Sequence, residues 1–302
     1  MRIACLGDLH IRNTVPVNRT DNFIKTLYGK IHFIYDYCVD NNVQAILLPG
    51  DVFNTPIQPY PILIRTLDLF HGIYYANIKI CACYGQHDLL FHNKTNRDVA
   101  LNVMESGKAV TILDKPAIYK DAVIYGCHYG DEIPEITTKG CLNILVIHKM
   151  IIAEKKLWDK QEGHTKSSSL LRNHNFDLIV SGDNHNTFQD NYRNRYLVNA
   201  GSLMREKIDQ ESHKPCFFIY DSDEPTNKVE KIYIPIQPFN EVFKEKEEPL
   251  PVEFDDQFTE QLLQQEDISI NFKKNVLNTI NQLPEKELSN GAKEVIRQIF
   301  IN

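Results

Sequence analysis

Four short apolar runs punctuate the chain, each reaching a glycine with a carboxylate or histidine close behind: RIACLGDLH (2–10), AILLPGDVF (45–53), IKICACYGQHD (78–88) and FDLIVSGDNHN (176–186). A fifth, CLNILVIHKM (141–150), ends in histidine without the glycine. Apolar runs of this length predict strands buried on both faces. FIKTLYGKIHFIYDYCVDNN (23–42) lies between the first two runs and PYPILIRTLDLFHGIYYAN (59–77) between the second and third; both space their apolar residues helically. Strand, helix, strand, helix, strand predicts a largely parallel sheet with crossover helices. Residues 109–150 are richer in strands and hold a hairpin-like KPAIYKDAVIYGCHYGDE (115–132); RYLVNAGSLM, PCFFIYDS and KVEKIYIPI add three more. The expected fold class is α/β, a two-sheet sandwich.

Past residue 235 the pattern changes. FKEKEEPLPVEFDD (243–256) is charged, proline-containing and weakly periodic, and predicts an exposed connector. After it, Phe272, Val276, Ile280 and Leu283 mark one helical face, Pro284 breaks it, and Leu288, Ala292, Val295, Ile296 and Ile299 mark a second. The expected segments are therefore 1–235, the main domain; 236–265, a connector or reduced capping region; and 266–302, a pair of short amphipathic helices. Such helices bury little by themselves, so a partner is expected to cover them.

Composition narrows the classes. Of 302 residues, 42% are apolar and 24% charged, as in ordinary globular proteins. A net charge of −7 argues against a surface that coats nucleic acid by charge alone, which leaves a local patch or a partner to hold one. The seven cysteines form no CxxC pair, and Cys81 and Cys83 alternate in a strand-like run, so buried reduced thiols are expected. No cationic and apolar leader precedes the first strand, and no run approaches the roughly 20 apolar residues of a membrane span. A soluble, cytoplasmic protein with no membrane association is expected.

In open α/β sheets, functional groups gather where strands end. Here Asp8 and His10 follow the first run, Asp51 the second, Gln86 and His87 the third, His148 the 141–150 run, and Asp183 and His185 the last. Any one of the aspartates could be a helix cap; five strand ends with oxygen or imidazole donors form a set. Attack on a phosphodiester needs an activated water and charge compensation, which two metal ions about 3.5–4 Å apart supply. A carboxylate shared between them fixes their spacing, and Asp51 is the candidate. Mixed imidazole and carboxylate donors suit Mn²⁺ and related ions, and the lack of thiolate argues against a zinc ribbon. His128, His164 and His174 read as ordinary strand-loop or surface histidines, and HGIYYAN (71–77) as helix end and core. REK (205–207) and RNR (193–195) are either solvated loop charge or phosphate contacts.

Taken together, GDLH, GDVF, GQHD, VIH and GDNH resemble the calcineurin-like metallophosphoesterase superfamily, in its motif order and across most of residues 1–235. RIACLGDLHI, LPGDVFN and VNAGSLMREK are similar to one branch, the SbcD-type and phage recombination-endonuclease nuclease subunit of the DNA double-strand-break repair complex. The resemblance implies an α/β/β/α sandwich and a metal-dependent DNA exo/endonuclease, with a phosphatase of small molecules or phosphoproteins on the same scaffold, or a catalytically weakened scaffold subunit, as the alternatives. It implies that Asp8, His10, Asp51 and His185 hold one divalent ion and Asp51, Gln86, His148 and Asp183 a second, Mn²⁺ first and Mg²⁺ next. It implies that His87 protonates the leaving oxygen or stabilises charge, with Asp88 orienting its ring N–H. It further implies a homodimer and an ATPase partner of the structural-maintenance (SMC-like) class, gripped by the C-terminal helices. Two positions depart from the family pattern: Gln86 stands for asparagine and Asp183 for the first histidine of Gly-His-x-His. An amide oxygen on a longer arm and an anionic oxygen imply a harder second site, retuned rather than lost.

Overall fold

A computed structural model describes residues 1–153, 164–226 and 228–244. The chain runs through β1 (Arg2–Cys5), α1 (Phe23–Asp40), β2 (Ala45–Leu48), α2 (Tyr60–Tyr75), β3 (Lys79–Ala82), α3 (Ala100–Ser106) and β4 (Thr111–Ile112). It continues as β5 (Ala117–Tyr119), β6 (Ala122–Cys127), β7 (Leu142–His148), β8 (Ile151–Ile152), β9 (Thr165–Lys166), α4 (Ser167–Asn173) and β10 (Leu178–Gly182). β11 (Phe188–Tyr192), β12 (Arg195–Asn199), β13 (Cys216–Asp221), β14 (Val229–Tyr233) and α5 (Phe239–Val242) close the described part. Local signals start the two long helices. The Asn22 side chain accepts from Lys25 N at 3.1 Å to cap α1, and Pro59 and Pro61 pre-set the first turn of α2.

Two six-stranded sheets form. One has the order β14-β13-β1-β2-β3-β4, the other β11-β12-β10-β7-β6-β5. β1 to β4 are mutually parallel, as are β6, β7, β10 and β12. The apolar runs resolve into a period of two that their composition hides. Ile3, Cys5, Ala45, Leu47, Cys81 and Cys83 meet Ile144, Val146, Leu178 and Val180 between the sheets. The alternate residues Ala4, Ile46, Leu48, Ile80 and Ala82 lie under Leu27, Ile31, Ile34, Leu69, Phe70 and Ile73 of α1 and α2. On the far side, Leu145, Ile147 and Ile179 lie under Leu170 and Leu171 of α4. The result is an α/β/β/α sandwich, and all seven cysteines are free thiols. Every expected ligand sits at the carboxyl end of a parallel strand, so both sheets present their functional ends on one edge.

The expected connector begins later than its charge pattern suggests. Phe243 is buried, Thr20 N donates to Val242 O at 3.0 Å, and Lys244 N donates to Asn18 O at 2.9 Å. Phe243 stacks on Phe239 and lies under the Arg19 guanidinium. The rest of the expected connector and the helix pair expected at 266–302 lie outside the described residues. Among the described residues, no helix is long and apolar enough to cross a membrane.

Candidate metal centre

Backbone geometry delivers the donors. His10 (φ 46°), Asp51 (φ 48°) and Asp183 (φ 75°) all adopt the left-handed conformation, which costs a non-glycine residue on the order of 1–3 kcal/mol. Fixed bonds hold them there: His10 N donates to Asp51 O at 3.0 Å, Asp8 N to Gly201 O at 3.2 Å, and Asp183 N to Asp8 Oδ2 at 3.1 Å. Glycine is required where strands and donors crowd. A Cβ on Gly85 would overlap Asp51 Oδ1, and one on Gly50 (φ 123°) would overlap the His148 ring.

The side chains converge. His10 Nε2 lies 3.2 Å from His185 Nε2, and His185 Nε2 lies 3.5 Å from Asp8 Oδ2. Asp51 Oδ2 lies 3.8 Å from His10 Nε2 and 3.6 Å from His148 Nε2, between the two halves of the cluster. On its far side the Gln86 amide bridges, with Oε1 2.7 Å from His148 Nε2 and Nε2 3.1 Å from Asp183 Oδ1. Ligand atoms of Asp8, His10 and His185 all fall within 4.8 Å of one another, as do those of His10, Asp51 and His87.

Two observations show that this donor set fits cations. Among the described residues, buried Asp51 Oδ2 has no hydrogen-bond partner, a costly state for a carboxylate oxygen. His148 Nδ1 faces Pro49 O at 3.0 Å and must carry the ring proton, so Nε2 points a lone pair at Gln86. Turning the amide over would only move the clash to Asp183. A cation between these groups satisfies every lone pair at once.

Electrostatics agree. Burial pushes Asp51 up to about 7, and burial together with Asp51 and Asp183 raises Asp8 well above the carboxylate range. Burial likewise raises Asp183. It lowers His148 to about 3 and His185 to about 4, and lowers His10 well below its ordinary value. The imidazoles are thus neutral donors, and the crowded carboxylates lack a counter-charge that divalent ions carry.

His87 is exposed at the mouth of the cluster. Its N–H donates to Asp51 Oδ1 at 2.9 Å, and its ring lies 5.0 Å from that of His10. The expected orienting bond from Asp88 is not made. His87 Nδ1 instead faces the carbonyl of Asn54 at 2.9 Å. Asp88, 1% exposed, accepts from the backbone N–H groups of Gly85 (2.9 Å), Phe53 (2.9 Å) and Val52 (3.3 Å). It clamps the Asp51 loop to the His87 loop. A backbone carbonyl has no sequence identity, so the true acceptor was not legible.

Other positions also moved. Arg205 is buried, with Nη2 donating to Gln237 O at 2.6 Å, and is not solvated loop charge. Arg193 and Arg195 sit at the turn between β11 and β12, at the opposite end of those strands from the cluster, and stack on Tyr192. Tyr74 and Tyr75 are exposed rather than core. His128 is buried as a strand-end histidine, accepting from Tyr84 N at 3.0 Å. Asn199 stands inside the VNAGSLMREK stretch, but nothing in that stretch singled it out. Its Nδ2 donates to Asn184 O (2.6 Å) and Asn186 O (2.8 Å), fixing the loop that carries Asp183 and His185.

The profile of the family described as calcineurin-like phosphoesterase matches residues 1–187, more than half of the chain. The chain belongs to the calcineurin-like phosphoesterase family. Hydrolysis of phosphoesters with divalent metals is the activity of that family. One relative of this phosphoesterase is the DNA double-strand break repair protein Mre11 of Methanosarcina mazei, 23% identical over 241 residues, 74% of this chain and 37% of the relative. The chain thus spans little more than a third of that relative's length. Among solved structures, TT1561 of Thermus thermophilus is similar at 13% identity and TM-score 0.48, covering 78% of this chain and 99% of that one. Vps29 of Entamoeba histolytica is similar at 10% identity and TM-score 0.36, covering 78% and 98%.

Proposed function

We propose that the protein is a metal-dependent DNA nuclease acting on phosphodiester bonds in DNA end processing, recombination and repair. The single observation that carries the metal-dependent chemistry is Asp51 Oδ2, without a hydrogen-bond partner among the described residues and midway between His10 and His148. The likeness of 23% to an archaeal repair protein supports DNA as the substrate. Asp8, His10, Asp51 and His185 would hold one ion and Asp51, Gln86, His148 and Asp183 the other. Mn²⁺ is favoured over softer ions because Gln86 and Asp183 contribute oxygen. When bound, the ions supply Lewis-acid activation of water and charge compensation on the phosphate.

The chain's own residues do the rest. His87, whose Nδ1–H is held by Asn54 O, presents Nε2 at the mouth, where in its doubly protonated form it would pass the Nε2 proton to the leaving oxygen and become the neutral ring. Asp88 keeps the Asp51 and His87 loops in register. We further propose that the 266–302 segment binds an SMC-like ATPase. A second copy would pack on the start of α2 and the loop before it, where Tyr60 and Ile64 of the helix and Ile57 of the loop stand exposed.

Linear DNA and bis(4-nitrophenyl) phosphate, each incubated with Mn²⁺ or EDTA, test the reading. Metal-dependent cleavage of both, lost in Asp51→Asn, is expected. Cleavage of phosphomonoesters alone would overturn it.

A further inference from the structure

The metal cluster is closed on most sides, with the side chains of Asp8, Asp51 and His148 at most 1% exposed. It opens at His185, whose side chain is 43% exposed. From there a groove of about 620 Å³ runs between the 206–214 segment and edge strand β14, lined among others by Lys207, His213, Lys214, Lys231 and Tyr233. Its charge differs from that of the whole chain, which carries −7. Two carboxylates also line it, Glu206 and Asp209. Glu206 is tied to Arg12 at 2.8 Å, so three lysines face one carboxylate without such a partner among the described residues.

The groove walls are anchored. His213 Nε2 meets Ser202 O at 2.7 Å, and Gln210 Oε1 accepts from Glu206 N at 2.7 Å, bracing the 206–214 segment. The Lys231 ammonium lies 6.0 Å from the ring of Tyr233, which is 58% exposed. A lysine-lined trough with an exposed ring is the pattern that tracks a single-stranded phosphate backbone and stacks a base. A phosphomonoester would end at the metal cluster and leave this trough unused.

We infer that the groove holds the polynucleotide strand flanking the scissile linkage on the His185 side, its phosphates against Lys207, Lys214 and Lys231 and a base against Tyr233. The inference rests on the nuclease reading above and adds the path of the substrate strand. It makes the three lysines positioning residues that separate polymeric from small diesters.

The test is binding of a fluorescein-labelled single-stranded oligonucleotide by anisotropy, in EDTA so that no cleavage intervenes, across a salt series. Lys214→Ala/Lys231→Ala is expected to weaken binding at least about tenfold. It should also shallow the slope of log K against log salt by about 1.4, at roughly 0.7 per lost phosphate contact. Lys214→Arg/Lys231→Arg should restore both, and Tyr233→Ala should weaken binding with the slope kept. Turnover of bis(4-nitrophenyl) phosphate in Mn²⁺ should be unchanged in all three variants. Oligonucleotide binding and slope unaltered by the alanine pair would overturn the groove, as would equal losses on the small diester. If the unsubstituted protein hydrolyses the small diester but neither binds nor cuts oligonucleotides, the nuclease reading itself has failed.

Discussion

His10 and His185, 175 positions apart in sequence, face each other with Nε2 atoms 3.2 Å apart. Their charged forms are disfavoured, chiefly by burial. Two neutral imidazoles can share at most one N–H across that gap, whereas one cation takes a lone pair from each. A metal-dependent stability follows. Mn²⁺ at 100 times its Kd should add about 2.7 kcal/mol to unfolding, read as a rise in Tm over the EDTA-treated protein. Asp51→Asn should lose most of that rise and at least about 100-fold in turnover, since it removes the carboxylate between both halves of the site.

His87 and Asp88 are neighbours with separable roles. His87→Gln should keep the Mn²⁺-induced rise in Tm and lower kcat by about 10²–10⁴ on DNA. The loss should be smaller on a nitrophenyl ester, whose leaving group needs no proton. Loss of the Mn²⁺ effect would make His87 a ligand instead, the role its grouping with His10 and Asp51 permits. Asp88→Asn should act on stability, at about 1–3 kcal/mol for each backbone N–H left unpaired, with no change in the pH profile of any residual activity. Thermal melts beside pH–rate curves separate the two.

Gln86 and Asp183 touch through the amide at 3.1 Å, so they form one unit of the proposed second site. Gln86→Asn with Asp183→His restores the family's usual donors. The exchange of a carboxylate for an imidazole should shift preference from Mn²⁺ and Mg²⁺ toward Zn²⁺ and Co²⁺. Competition binding by isothermal calorimetry checks this. An unchanged order of metals would count against the retuning of this site.

Lys30 supplies a pH dependence away from the metals. Burial, then Arg19 and Arg205, lower its ammonium to about 7, and Nζ donates to Leu203 O at 2.9 Å. The unfolded chain keeps this proton up to about 10.4. Between these values the unfolded state binds more protons, so stability rises with pH, by up to about 1.4 kcal/mol per unit. The Lys30 contribution is therefore read from pH 7 to about 8.5 as the difference in slope between the unsubstituted protein and its Lys30 variant, because Asp51 and Asp88, each raised to about 7, Asp8, and buried thiols such as Cys38 at about 12 all oppose it. Lys30→Met should make the slope of stability against pH more negative over pH 7 to about 8.5 in urea titrations of the EDTA-treated protein, and an unchanged slope would overturn the Lys30 assignment.

The sequence by itself determined the main strands, the parallel crossovers among the first three and the donors at their ends. An apolar run closing on Gly-Asp or Gly-Gln-His is a local pattern, and a parallel strand can present such a turn only at its carboxyl end. Alternation of helices with apolar strands marked the α/β class; the α/β/β/α layering was what the motif resemblance implied, since the same alternation also suits helices on both faces of one sheet. Tertiary structure alone decided what depends on approach between distant segments. Asp51 Oδ2 comes to lie between His10 and His148 only when the two sheets pack face to face. His87 is held by the carbonyl of Asn54 rather than by adjacent Asp88, because a clamp of three backbone N–H groups claims the carboxylate. The burial of Arg205 and Phe243 and the exposure of Tyr74 and Tyr75 likewise followed from packing partners far off in the chain. Local pattern fixes what a residue can donate; the fold decides which atom receives it.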